Sequence, residues 1–442
     1  MSLPVMLSMV MQTFYSLVDM IWIGRISAVA VAGVTVFSSL YFLVGSLNSI
    51  IGGGSVTVLS QSFGSGDKEK ARTAIANTFA FKLLVGIIAA IVLSLALEPL
   101  LNHFTDDPQV LNDALAYGRI RAIFMPIMFS SFTVTTALRC SGDSRSPMYI
   151  TLLSAVLNIV LDPIFIFDKV PYIGIPGLGL GVFGAALATV ISVTLSFIIS
   201  YWLMFGPKSV YKLKLSDFWN IDWSIVYRIV KIGIPQATSQ MLRNLANVIM
   251  LGFITSYGTL ALAAWGIVSR ILNLLFMPIF GLMQGSGTVV GQNIGAKQYD
   301  RAVESSNIAS KIGFLVMMVV AILGYKVAPQ VVNLFTDNGE VTKMGGEVLR
   351  IIIISMPFVA LYMGKATIFT GTGYTLPFLI SGVVGQWIVQ IPVMYLITKL
   401  WNLPFVYLAA SNIAYTVVEG VLIFYFFARG NWKAKVQEKA VE

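Results

Sequence analysis

Long apolar runs constrain this chain more than any other feature. Twelve stretches reach the roughly 20 residues that an α-helix needs to cross a bilayer: 3–24, 29–59, 73–97, 113–138, 147–167, 181–205, 232–255, 260–290, 306–327, 345–370, 377–398 and 405–428. Composition removes the soluble alternative. Of the 442 residues, 57% are hydrophobic and 11% charged, against about 25% charged in a soluble domain, and a soluble core has too few interior places for so much apolar surface. The net charge of +9 does not indicate nucleic acid, because the basic residues lie in short stretches between apolar runs, as juxtamembrane anchors do. A single cysteine, Cys140, and a single histidine, His103, exclude a disulfide framework and a Cys/His zinc site; neither is given a role. Met1 leads almost at once into the first run, so the N-terminal tail is expected to be very short or trimmed, with no cleavable leader.

The chain is read as all-α and integral to the membrane, with twelve transmembrane helices in two pseudo-symmetric six-helix lobes. Residues 1–206 form an N-lobe and 207–231 a cytoplasmic linker; 232–429 form a C-lobe and 430–442 a charged cytoplasmic tail. With an even number of spans both termini share a side. That side carries seventeen basic residues, among them Lys68, Arg139, Lys208, Lys212, Lys214, Lys297, Lys435 and Lys439. The opposite side carries eight, Arg25, Arg119, Arg121 and Lys169 among them. The excess places the termini and the linker in the cytoplasm. A shift of 231 aligns the two halves without a gap for about 140 residues. Pro4 falls on Pro235 and Gly54-Ser55 on Gly285-Ser286. Asn102, Phe104, Thr105 and Asp106 fall on Asn333, Phe335, Thr336 and Asp337, and Met125-Pro126 on Met356-Pro357. Parallel repeats of this kind belong to transporters that place their sites at the repeat interface and rock one half on the other.

Ionisable residues inside spans are expensive and mark function by default. The first half has two, Asp19 in span 1 and Asp162 in span 5, at similar depth past the midplane. Helical spacing places Gln12 and Tyr15 on the face of Asp19, and Asn158 on the face of Asp162; Thr189 in span 6 is a further oxygen donor. Two carboxylates with Asn and Thr oxygens suit Na⁺ or a shared proton, because two close carboxylates in low dielectric cannot both stay ionised cheaply. The alternative is a pair of isolated acids bonded to their surroundings. Pro163 directly follows Asp162 and frees a carbonyl one turn earlier, as a moving or a static bend.

The second half reverses the sign. Arg243, Arg270 and Lys365 are cations within spans, and Glu419 is the one acid there; Asp19 maps to Met250 and Asp162 to Ile391. Glu419 is expected to pair with at least one of the cations, supported by Gln236, Gln240 and Asn412, either as a structural bridge joining spans 7, 8, 10 and 12 or as part of a coupling site. Gln12 and Arg243 are read as lining the substrate cavity. Lys82 and Lys311 lie near span ends and are expected to snorkel. The glycine clusters Gly52-Gly53-Gly54-Ser55 and Gly285-Ser286-Gly287 lack the strand and the Lys-Ser/Thr pair of a phosphate loop, and are read as close-packing or hinge positions. Nineteen methionines and 12% aromatics can line an adaptable cavity for apolar cations. Neither a catalytic constellation nor an ATP-binding motif is apparent in the spans.

The segments Gln12–Gly24 (QTFYSLVDMIWIG), Gln61–Ala71 (QSFGSGDKEKA), Leu138–Pro147 (LRCSGDSRSP), Asn158–Pro163 (NIVLDP), Gly184–Thr189 (GAALAT) and Gln292–Ala302 (QNIGAKQYDRA), together with Pro4, resemble the multidrug and toxic compound extrusion (MATE) transporters nearly end to end. The resemblance implies that architecture of two six-span lobes. It further implies export of organic cations and other amphipathic drugs in exchange for H⁺ or Na⁺, without a cofactor, by a monomer with no nucleic-acid partner. Carried over residue by residue, it implies a cation site at Asp19, Asn158, Asp162 and Thr189, with Tyr15 nearby. Arg243 and Lys365 stand where the NorM-like branch has acidic coupling residues, which favours the DinF-like, archaeal-type branch with coupling in the N-lobe. On this reading an outward-facing cavity between the lobes releases the drug. The ion then binds at Asp19 and Asp162, span 1 or 5 bends, and the lobes rock. The rival within transport is a lipid-linked precursor flippase of the wider superfamily, kept open by Arg243, Arg270 and Lys365.

Overall fold

The computed structural model describes residues 2–206, 217 and 220–433, without the side chain of Leu43. Lys208, Lys212, Lys214, Lys435 and Lys439, on which part of the orientation count rests, lie outside the described residues. Within the described residues every regular element is a helix, and the one bridge, Lys169 to Pro176, closes a loop. The first unit holds α1 (Ser2–Gly24), α2 (Ala28–Gly64), α3 (Lys68–Phe104), α4 (Pro108–Ile123), α5 (Met125–Cys140), α6 (Arg145–Ile166) and α7 (Gly181–Phe205). There follow α8 (Trp223–Thr255), α9 (Thr259–Gly295), α10 (Tyr299–Asn333) and α11 (Gly339–Thr372). The short α12 (Leu376–Gly382) continues through a π-helical stretch, Val383–Gln390, the short α13 (Ile391–Tyr395) and a second π-helical stretch, Leu396–Leu400; α14 (Leu408–Arg429) is last.

Each expected apolar run falls on helix. Nine helices are long and apolar enough to cross a membrane, and two bent pairs bring the number to eleven among the described residues: α2, bent by 44°, and α4 with α5, bent by 54°. The run 113–138 is thus a broken span. The break sits at Phe124, where Met125-Pro126 cannot carry α4 onward. The remaining helix, α8, has 33 residues; Arg228, Lys231 and Arg243 and its Asn and Gln side chains lower its apolarity.

The chain divides into two compact units, Leu3–Gly233 and Ile234–Glu442. In the first, Phe37, Leu97, Tyr117, Met125 and Phe129 form a buried cluster closed by Ala185 and Ala186 of α7, and a second cluster gathers Ile51, Leu59, Ile75 and Ile229. In the second, one cluster joins Ile254, Val268, Val332 and Val348 and another Val290, Phe369 and Trp432. Asp222 caps α8: its Oδ1 accepts the Ser224 N–H at 2.9 Å, and the hydrogen bonds from Ser224 hold its carboxyl below the ordinary carboxylate range. Beside it, α2 and the start of α8 cross on glycine. A Cβ on Gly54 would lie 1.9 Å from the Ile229 carbonyl oxygen, and one on Gly233 would lie 1.8 Å from that of Ile50. Only glycine lets the two backbones approach so closely.

The repeated Asn-x-Phe-Thr-Asp motif acquires a structural meaning. Thr105 Oγ1 accepts the Asp107 N–H at 3.2 Å, and Asp107 then caps α4 by accepting the Gln109 N–H at 2.8 Å. At the equivalent place Thr336 Oγ1 accepts the Asn338 N–H at 3.2 Å, and Asn338 caps α11 by accepting the Glu340 N–H at 3.0 Å. One turn-and-cap design is therefore used in each half. The later Met-Pro pair diverges: Pro126 opens α5 after a break, while Pro357 sits inside the unbroken α11.

Candidate functional site

In the first unit the site is built on α6 and α7. The connection between them satisfies its own backbone against the end of α6: Leu178 N–H donates to the Ile164 carbonyl at 2.8 Å and Leu180 N–H to that of Phe165 at 2.9 Å. This splice sets the level at which α7 starts, and so sets Thr189 beside Asn158. Asn158 Nδ2 donates to Asp162 Oδ1 at 3.0 Å and to Thr189 Oγ1 at 3.4 Å, and the Thr189 hydroxyl donates to the Ala185 carbonyl at 3.1 Å. All three side chains are buried, Asp162 completely. On α1, Tyr15 and Asp19 are half-buried and Gln12 is exposed. The Asp19 carboxylate lies close enough to Asp162 for the two charges to act on each other.

After these bonds are made, three buried oxygens have no donor among the described residues: Asp19 Oδ1, Asn158 Oδ1 and Asp162 Oδ2. Acceptors in surplus, two of them on carboxylates, are the chemistry of a place that takes a proton or an oxygen-seeking cation. Na⁺ or H⁺ would be cargo there, and Asp19, Asn158, Asp162 and Thr189 are the residues whose oxygens would face it.

Sequence reasoning missed one residue of this site. Arg121, counted above only among the basic residues of the side opposite the termini, lies half-buried on α4 with its charge acting on Asp19 and Tyr15. Its Nη1 donates to the Tyr117 hydroxyl at 2.7 Å, and its guanidinium carbon lies 5.0 Å from the Tyr41 ring centroid and 5.3 Å from that of Tyr117. The Tyr117–Arg121 spacing of one helical turn was the available signal. One sequence expectation about cations also changes. Lys82 does not snorkel: it is completely buried, its Nζ 4.2 Å from the Phe132 ring centroid and without a hydrogen-bond acceptor among the described residues. Lys311 is exposed. Arg270 is exposed on α9 and makes no ion pair among the described residues.

The second unit contains a cavity of about 450 Å³. Arg243 on α8 and Glu419 on α14 form an ion pair in its wall. Arg243 Nη1 also donates to the Tyr415 hydroxyl at 2.6 Å, and the Tyr362 hydroxyl donates to Glu419 Oε2 at 2.9 Å. Gln236, Gln240, Asn412 and Gln386 supply amides, and Phe276, Phe280, Phe378, Met283 and Met356 supply apolar wall. Gly382 makes room for the guanidinium, since a Cβ there would lie 3.2 Å from Arg243 Nη2. The π-helical turn begins at the next residue; such turns recur at functional sites. Lys365 stands apart from this network, hydrogen-bonded to Asn307 and 4.3 Å from the Phe427 ring centroid.

The MatE family profile matches the chain twice, over residues 4–164 and 235–396; the two matches begin 231 residues apart. A relative named "Probable multidrug resistance protein YoeA", from Bacillus subtilis, is 28% identical over 441 residues, covering 98% of this chain and 93% of its own. One named "Probable multidrug resistance protein NorM", from Thermotoga maritima, is 25% identical over 437 residues, covering 98% and 92%. Among solved structures, a MOP superfamily transporter from Pyrococcus furiosus superposes with a TM-score of 0.87 at 25% identity, over 98% of this chain and 95% of the other. An outward-facing multidrug resistance MATE transporter superposes with a TM-score of 0.88 at 24% identity, over 99% and 95%.

Proposed function

Since the chain belongs to the MatE family, whose members are transporters and not enzymes and include proteins named for multidrug resistance, we propose that it is a secondary antiporter of the cell membrane. It exports organic cations and other amphipathic drugs in exchange for H⁺ or Na⁺, with both termini in the cytoplasm and coupling in the N-lobe as in the DinF-like branch. The observation that carries the reading is the set of three donor-less buried oxygens on Asp19, Asn158 and Asp162. Such a set is costly to keep in a membrane protein unless something positive visits it. When the cation binds, it draws the Asp19 carboxylate on α1 toward the α6 pair. Only Val5 and Ile23 of α1 are buried, so this helix is the part of the site least held by packing and the one that moves. Arg121 offsets part of the pocket's negative charge and keeps Asp19 oriented when the cation has left. Alternating access follows as the lobes rock between cation-bound and drug-bound states.

The test is counterflow in proteoliposomes with an imposed pH or Na⁺ gradient and a cationic dye as cargo. Asp19→Asn and Asp162→Asn are each expected to lower gradient-driven efflux by about tenfold or more, the scale of losing a coupling charge, while dye binding persists. Undiminished efflux in both variants would sink the N-lobe coupling site.

A further inference from the structure

We propose that the cavity of the second unit binds the anionic group of an amphipathic substrate on Arg243, and that Glu419 takes up one proton as it does so. The cavity's volume, about 450 Å³, is that of a small-molecule site. Its wall combines Phe276, Phe280 and Phe378 with the Arg243–Glu419 pair, an apolar body with a charged end. A second observation points to a ligand. Gln386 lines the cavity, is 6% exposed, and its buried Oε1 has no hydrogen-bond partner; a polar atom left this way asks for a donor from outside the protein's own structure.

The charge type of the ligand follows from an asymmetry in the pair. At rest Arg243 and Glu419 neutralise each other. A cationic ligand that took Glu419 would strand the guanidinium, and arginine cannot shed its proton. An anionic ligand that took Arg243 would strand the carboxylate, but a carboxylate can be neutralised by a proton from water. Breaking a buried pair by removing one partner is strongly unfavourable, so the exchange that ends with no stranded charge wins. The titratable and charged groups facing Glu419 allow it: Arg243 from α8, Tyr362 from α11 and Tyr415 from α14. The α9 and α12 to π-helical walls contribute neutral side chains such as Phe276, Phe378 and Gln386. Tyr362 keeps Glu419 hydrogen-bonded in either protonation state. The sign is fixed: a carboxylate-bearing aromatic amphiphile binds more tightly as pH falls, for as long as its own carboxylate stays ionised.

The inference rests on the export reading only in taking an amphiphile as the ligand, and its test uses no gradient and leaves Asp19 and Asp162 intact. Purified full-length protein in nanodiscs is titrated between pH 6 and 8 with dansylglycine, followed by fluorescence, and with its methyl ester as the probe lacking the anion. The acid is expected to bind with an affinity rising up to about tenfold per unit fall in pH, the slope of one linked proton, and the ester more weakly and without that slope. Glu419→Gln is expected to abolish the slope and retain tight binding; Arg243→Gln is expected to lose the preference for acid over ester. Should these variants not fold, weakly buffered wild-type protein still decides: about one proton is taken up per acid bound and none per ester. Binding of the acid without proton uptake, equal binding of acid and ester, or no binding of the acid at any pH overturns the proposal.

Discussion

Lys82 shows what a single position can cost. Its amine is wholly buried on α3, against the Phe132 ring and with no acceptor among the described residues. A cation–π contact contributes about 0.5–2 kcal/mol, less than the penalty for burying an unpaired charge. Lys82→Met is therefore expected to raise stability, by about 1–3 kcal/mol, read as a higher thermal midpoint of the purified protein; a lower midpoint would show that the amine has a partner it depends on. At this scale the sequence was legible where one apolar run contained the whole signal. Asp19 and Asp162 were visible because ionisable residues in apolar runs stand out, and Asn158 because it lies one helical turn from Asp162. Arg121 and Lys82 were misplaced for a shared reason. Counting along the chain gives an approximate depth but not the rotation of a helix, and of the rings that receive these cations only Tyr117 shares a helix with its cation, while Tyr41 on α2 and Phe132 on α5 belong to other helices.

Among the elements, α2 and the start of α8 cross with their backbones in close contact. With Gly54 and Gly233 facing each other's carbonyl neighbours at under 2 Å from any added Cβ, the obstruction is backbone and cannot swing away. Gly54→Ala and Gly233→Ala are each expected to destabilise by about 1–3 kcal/mol or more through overpacking. Gly45→Ala, where an added Cβ meets nothing within 4 Å, should be neutral or slightly stabilising, by up to about 1 kcal/mol from helix propensity. Thermal midpoints of the three variants check this; equal midpoints would mean that the crossing has slack. The glycine run announced close packing in the sequence, but not its partner, because α8 lies more than a hundred residues away along the chain. Helix identity was legible throughout, since apolar runs of this length have few other fates. The break at Phe124 was not, because the same Met-Pro pair is compatible with a broken span in one half and with a continuous helix in the other.

For the molecule as a whole, the two halves share caps, turns and apolar pattern but not charge. Met250 and Ile391 replace the aspartates of the first half, and the ion pair of Arg243 and Glu419 has no counterpart there. Duplication thus supplied a common scaffold, and single-residue changes gave each half its own chemistry, which is why the repeat was readable while the division of labour had to be read residue by residue. The trio of Asp19, Asp162 and Arg121 has an electrical consequence. With Arg121 beside them, the two carboxylates ionise together only at a deficit of one elementary charge, which a single monovalent ion, Na⁺ or a shared proton, would balance. Under the antiport proposed above, a singly charged drug leaving in return for that ion would move no net current. The membrane voltage, which would supply about 2.3 kcal/mol per charge per 100 mV, then has nothing to act on. Export of such a drug from vesicles clamped with a potassium diffusion potential should run at the same rate at either polarity, whereas a severalfold polarity dependence would contradict this charge count.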